Sequence, residues 1–213
     1  MGKSFVVTVA GMVSTLVATS IQASPVTFSG MGLNQTVDYK LSGVDKTSKA
    51  GQILINFQSQ NLTAYCVDLN HTVKSSWDAT PASPDFINGG RAAAFLYDTY
   101  AASVDSSLKA AALQVAIWEV VTDFGGTLNL LAGNFKLLDS ENVRNLATIY
   151  LGSLPGDVGN YQSSSFIVKS GSDPRSQHLI VPEPATLGVV MVATGMMFAD
   201  RRRRRAATAR VAC

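Results

Sequence analysis

An α+β fold is predicted for the central part of this 213-residue chain, a β-sandwich or sheet with an inserted helical subdomain, flanked by a signal peptide and a C-terminal transmembrane helix. Three observations predict it. Short β-rich segments come first, helical segments follow them, and strands return at the end, an order that belongs to α+β architecture. A cluster of Pro and Gly marks the change from strands to helices. Each terminus carries an uncharged apolar run with basic residues beside it, a pattern of targeting rather than of a core.

The N-terminal segment, residues 1–23, opens with Lys3, continues through an apolar run from Phe5 to Val17 and reaches a small residue at Ala23, just before Ser24-Pro25. It reads as a signal peptide cleaved after Ala23. From Ser24 to about Asp68 the chain reads as strands: Val26–Ser29, Thr36–Leu41, Gln52–Phe57 and Leu62–Asp68 are partly alternating and separated by Gly, Ser, Asn and Lys. A loop with Pro81, Pro84 and Asn88-Gly89-Gly90 is expected next. Helices are predicted over Arg91–Ala102, over Ser106–Thr122 with Asp105 as N-cap and Gly125-Gly126 as stop, and from about Glu141 to Leu151. Strands over Ser165–Lys169 and His178–Val181 bring the chain back to the sheet. The exported domain is thus expected to span residues 24–181.

At the C-terminus, residues 185–199 carry no charge and are followed by Asp200 and then Arg201, Arg202, Arg203, Arg204 and Arg205. Fifteen helical residues rise only about 22 Å against about 30 Å of hydrocarbon, so a span here borrows length from its flanks, in part through snorkelling arginines. The positive-inside rule places the arginines and the tail, residues 206–213, in the cytoplasm and everything before residue 185 outside.

Charge and cysteine content narrow the function classes. Residues 24–181 hold ten basic and 13 acidic side chains, and the remaining basic residues lie in the terminal segments. A mildly acidic exterior excludes a nucleic-acid partner. Of the two cysteines, Cys66 belongs to the exported part and Cys213 lies behind the arginines, so they cannot pair within one mature chain. With two histidines in the whole chain, His71 and His178, and no second exported thiol, no metal site is expected. His71 lies five residues after Cys66, the spacing of an imaginable Cys/His hydrolase, but no orienting acid is evident. Asp68 and Asn70 read as turn chemistry.

In the second predicted helix, residues 110–118 read AAALQVAIW, with Gln114 the one polar side chain. A helix apolar all round is buried, and a buried carboxamide needs partners. It can be a core glutamine bonded to backbone, just as Cys66 can be a small buried hydrophobe. Alternatively, a cysteine sulfur held against the carboxamide attacks it and expels ammonia. The product is an internal thioester, an activated acyl group that needs no cofactor and that an amine can open, leaving Cys66 as thiol and Gln114 as an amide link.

The segments Tyr65-Cys66-Val67-Asp68-Leu69 and Leu113-Gln114-Val115-Ala116-Ile117-Trp118 resemble the two motifs of bacterial thioester domains found in surface adhesins. The resemblance covers about residues 28–180 and implies a Cys66–Gln114 crosslink within a β-sandwich bearing a helical subdomain. The run Val181-Pro182-Glu183-Pro184-Ala185-Thr186 with the apolar span and arginine cluster resembles the PEP-CTERM sorting signal, residues 182–205, of Gram-negative bacteria that make exopolysaccharide. That implies recognition at Pro182, Glu183 and Pro184 by an exosortase after passage through the secretion machinery. The inner-membrane-anchored precursor would then lose its span and tail and pass to the cell surface or matrix. The expectation is a non-enzymatic adhesin-like module, without cofactor or catalytic residue, that couples to an amine-bearing surface protein or exopolysaccharide. The alternative is a structural component of a biofilm matrix without a reactive thioester.

Overall fold

The computed structural model describes residues 22–171 and 175–183, so the signal peptide, Pro184, the span 185–199 and the arginine cluster lie outside the described residues. Among the described residues no helix is long and apolar enough to cross a membrane. The architecture is α+β, dominated by one antiparallel sheet with a few helices.

Two long strands open the fold, β1 (Ser24–Leu41) and β2 (Val44–Phe57), paired along their length. The tight turn between them puts Ser42 and Gly43 at positive φ, 50° and 88°, which matches the twist of a two-residue hairpin. β3 (Gln60–Cys66) follows through a second such turn at Gln58-Ser59. β4 (Ser76–Ala82) comes next, then three helices with a short strand among them: α1 (Gly90–Tyr100), α2 (Ser107–Asp123), β5 (Phe135–Leu137) and α3 (Glu141–Gly152). β6 (Ser165–Ser170) and β7 (Leu179–Pro182) complete the sheet. Its order is β2-β3-β7-β6-β4-β1-β5, and because β1 also pairs with β2, six of the strands form a ring.

Three expectations are corrected by this arrangement, and one strand is new. The segments expected as separate strands over Val26–Ser29 and Thr36–Leu41 are one continuous strand, because its irregularities near Gly30 and Asn34 are absorbed as bulges without ending the pairing. Residues 76–82, expected as loop, form β4. Trp77 and Ala79 point inward while Ser76 and Asp78 point out, and the strand reaches Pro81 where it pairs with Val168. β5 was not anticipated; it is held against Tyr39–Leu41 of β1. The N-cap of α2 is Ser106, whose hydroxyl accepts the Lys109 N–H at 3.3 Å, whereas Asp105 instead pairs with Lys109 Nζ at 2.8 Å.

Every residue of α2 from Ala110 to Val120 is buried. The helix packs against α1, α3, β1, β2, β3 and β5, and four alanines, Ala110, Ala111, Ala112 and Ala116, keep its surface low enough for neighbours to approach. Gly89, at φ 67°, makes the start of α1 fit beside the end of α2, since a Cβ there would lie 2.0 Å from the Val120 carbonyl oxygen. These contacts fix the position of Gln114, in the middle of α2, relative to the end of β3.

Candidate functional site

Cys66 is the last residue of β3 and is 2 % exposed; Gln114 is 1 % exposed. Along β3 the backbone groups of alternate residues face β2, and the β2–β3 register runs from Phe57↔Gln60 to Ile53↔Ala64. Two residues further on, Cys66 should find the next partner on β2. β2 has turned away there: at Gly51, φ 146°, the strand is so close to β1 that a Cβ would lie 2.3 Å from the Leu33 carbonyl oxygen. Gln114 takes the place of the departed strand. Its Oε1 accepts the Cys66 N–H at 2.9 Å, and its Nε2 donates to the Cys66 carbonyl at 2.8 Å. On the other side of β3, Cys66 pairs with Leu179 of β7, and the Val67 N–H donates to the His178 carbonyl at 3.0 Å.

The sulfur itself is bracketed by Asp68. The thiol donates to the Asp68 carbonyl at 3.2 Å and accepts from the Asp68 N–H at 3.3 Å. Burial pushes the Cys66 thiol up to about 12, opposed first by the Trp118 indole N–H and then by the Asp68 N–H, while the Asp68 carboxylate adds to the rise. Trp118 Nε1 is buried and completes no well-formed hydrogen bond, so its approach to the sulfur is electrostatic in effect rather than a full bond. Trp118 stacks obliquely on Tyr39, with ring centroids 5.3 Å apart, and lies 6.1 Å from Phe135, which closes an aromatic wall beside the site. Burial, and secondarily the sulfur's charge, keeps Tyr39 protonated as well. At rest the site therefore holds a neutral thiol beside a neutral carboxamide.

His71 does not contact the sulfur. Its Nδ1 pairs with Asp68 Oδ2 at 2.8 Å, and Asp68 Oδ1 accepts the Asn70 N–H at 3.0 Å, the turn chemistry expected for this pair. His178 bonds to neither: its Nδ1 accepts the Ser170 N–H at 3.0 Å, and burial lowers its pKa, with the nearby Asp68 opposing that shift and His71 adding to it. Among the described residues no cluster of His, Cys, Asp and Glu is arranged to hold a metal ion. Pro182 ends β7 opposite Ser165, and the Glu183 N–H donates to the Ser164 carbonyl at 2.9 Å, so the beginning of the expected sorting motif is fastened to the sheet.

An open cleft of about 470 Å³ adjoins the site, lined among others by Val67, Asp68, Asn70, Asn88, Thr122 and His178. Sequence reading overlooked two features here. Asp68 contributes its backbone to the sulfur and also lines the cleft, and a lone aspartate after a strand gives no signal of either. Glu119 is fully buried in α2, its Oε1 accepting the Asn129 N–H at 2.6 Å and its Oε2 without a partner. Burial pushes its carboxyl up to about 7. A charged residue directly after AAALQVAIW was the available sign of that strain.

No protein family, curated protein or solved structure matches the chain.

Proposed function

We propose that this chain is an exported surface or matrix protein in which Cys66 and Gln114 form an internal thioester that couples covalently to an amine-bearing partner. One observation carries the reading: in a water-poor core, the single carboxamide of α2 is held by two hydrogen bonds to the very residue that bears the exported thiol. The Cys66 N–H, 2.9 Å from Oε1, polarises the Gln114 carbonyl as an oxyanion-type donor does. Sulfur adds to the carboxamide carbon, the thiol proton passes to nitrogen, and ammonia leaves. The amine of a partner then adds to the same carbon and expels the sulfur, which takes up a proton as Cys66 regains its thiol. In this reading the three helices inserted between β4 and β6 form a helical subdomain on a sandwich-like sheet.

The termini complete the proposal. Residues 1–23 serve as signal peptide, and β1 begins at the expected cleavage point with Ser24 paired to Ala79. Pro182, Glu183 and Pro184 are read by an exosortase, the span 185–199 and Arg201–Arg205 hold the precursor in the inner membrane until cleavage, and the product reaches the cell surface or exopolysaccharide matrix. A second reading is favoured by the hydrogen bonds themselves. Both polar ends of the Gln114 carboxamide are satisfied by backbone, as those of a core glutamine would be, which would make the chain a structural matrix component.

Intact mass of the exported chain separates the two. The thioester chain is lighter by one ammonia, takes up one methylamine, and loses both properties in Cys66→Ala. A chain of full mass whose Cys66 reacts with a thiol reagent on unfolding overturns the coupling reading.

A further inference from the structure

We propose that Asp68 and His71 form the proton-handling pair of the Cys66–Gln114 site, receiving protons from a primary amine that enters by the Asp68-lined cleft and returning one to the sulfur. The inference rests on the thioester reading and says how such a bond would be opened. It starts from a proton balance. A primary ammonium carries two protons more than the amide nitrogen it becomes, and the departing sulfur needs one. Opening a thioester by R–NH3+ yields the Gln114 amide of R–NH, the Cys66 thiol and one proton released to water. Burial makes a free thiolate at Cys66 a poor leaving group, so the proton must arrive as the carbon–sulfur bond breaks.

One residue borders both the sulfur and the cleft. The Asp68 backbone touches the sulfur through both its N–H and its carbonyl, at 3.3 and 3.2 Å. Asp68 is 8 % exposed and lines the cleft of about 470 Å³. Oδ1 is fixed by the Asn70 N–H at 3.0 Å, and Oδ2 meets His71 Nδ1 at 2.8 Å, with the His71 side chain 27 % exposed. Asp68 thus lies between the sulfur, which it meets through its backbone, and the part-exposed His71, which it meets through its carboxylate. Arg175 and His178 line the same cleft, and His178 lies close enough to Asp68 and His71 to feel the charge of both. Asp68 would be a catalytic residue; His71 acts through it and is a positioning residue.

The test uses the exported, purified chain with methylamine as probe, followed by intact mass against time. In His71→Ala and Asp68→Asn, each checked for native folding by circular dichroism, the thioester mass should be retained while methylamine uptake slows about 100-fold. Added imidazole should restore the rate of His71→Ala and leave Asp68→Asn slow, a result that a purely structural role for His71 would not give. If a folded His71→Ala chain keeps its full mass, imidazole should instead drive the loss of ammonia. Variants that carry the thioester and react at the wild-type rate overturn the proton pair and leave the thioester standing, as does any slow His71→Ala chain that imidazole fails to rescue. A wild-type chain of full mass removes the thioester reading and this inference with it.

Discussion

Replacing Glu119 by Gln should flatten the pH dependence of stability, and the size of the effect follows from where this carboxyl lies. Glu119 is fully buried, one oxygen accepts the Asn129 N–H and the other has no partner. Burial is the main cause of a rise from 4.5 to about 7, the Asn129 N–H opposes it, and the nearby Asp123 adds to it. The unfolded chain therefore loses the Glu119 proton first as pH rises. The folded state binds more protons between about 4.5 and 7, and stability falls through that window. At about 1.4 kcal/mol for each tenfold change, the folded state is penalised by about 3 kcal/mol above pH 7 and hardly at all below 4.5. Glutamine keeps the acceptor for Asn129 and cannot ionise, so Glu119→Gln resembles the protonated wild type. Urea unfolding at pH 4.5, 6, 7 and 8 should give similar stabilities at the lowest pH and a variant more stable by about 3 kcal/mol at the highest. Taking the difference between the two chains cancels every other titrating group that they share. Parallel curves would show that Glu119 is hydrated or charged at little cost in the folded state, and the account of its burial would fail.

Two further substitutions test the placement of α2. Gln114→Ala would leave the N–H and carbonyl of Cys66 buried without partners where β2 has turned away; a loss of about 3 kcal/mol in chemical denaturation is expected, and a loss below about 1 kcal/mol would mean that water or backbone movement fills the gap. Ser106→Ala should cost about 1 kcal/mol by removal of the N-cap, whereas Asp105→Ala should leave stability nearly unchanged because its pair with Lys109 is exposed; thermal unfolding of the two side by side would expose a reversed assignment.

The elements most legible in the sequence were those whose burial is uniform or strictly periodic. Residues 110–118 admit one reading, a helix surrounded on all sides, and α2 is that helix. β3 and β6 also show plainly in their β-branched and aromatic residues. β4 did not, because its inward pair, Trp77 and Ala79, is set among polar residues and followed by Pro81, which sequence rules treat as the end of a strand. β5 has three residues and exists through its contact with β1, a distant partner that no local pattern records. The bulges of β1 were hidden for the converse reason, since glycines that elsewhere mark turns here only bend a pair that continues. At the site, the sequence drew attention to Cys66 and Gln114 as residue types in unusual settings. It gave no sign that the carboxamide would meet the cysteine backbone, because that depends on where β2 leaves β3. The involvement of Asp68 depends on the chain bending back on the sulfur within two residues, which is equally invisible.

The surroundings of the sulfur bear on the choice between a reactive pair and an inert one. A cysteine used only to fill space needs apolar neighbours, and sulfur is a weak acceptor that repays little for polar ones. Yet the Asp68 N–H lies on this sulfur at 3.3 Å, and the Trp118 indole N–H, buried and otherwise unpartnered, acts on it in the same direction. Withholding two donors from water for the sake of a neutral thiol is costly. It makes sense if the sulfur passes through a state with more negative charge, as it must both in attacking a carboxamide and in leaving an acyl carbon. Burial keeps that state from persisting, the donors make it accessible, and the Cys66 N–H on Gln114 Oε1 directs the same assistance to the carbon that would be attacked. An inert core would need the Gln114 bond to satisfy the Cys66 backbone but neither of the two donors on the sulfur, so a Trp118→Phe chain that couples methylamine like the wild type would remove the chief physical reason for preferring the reactive pair.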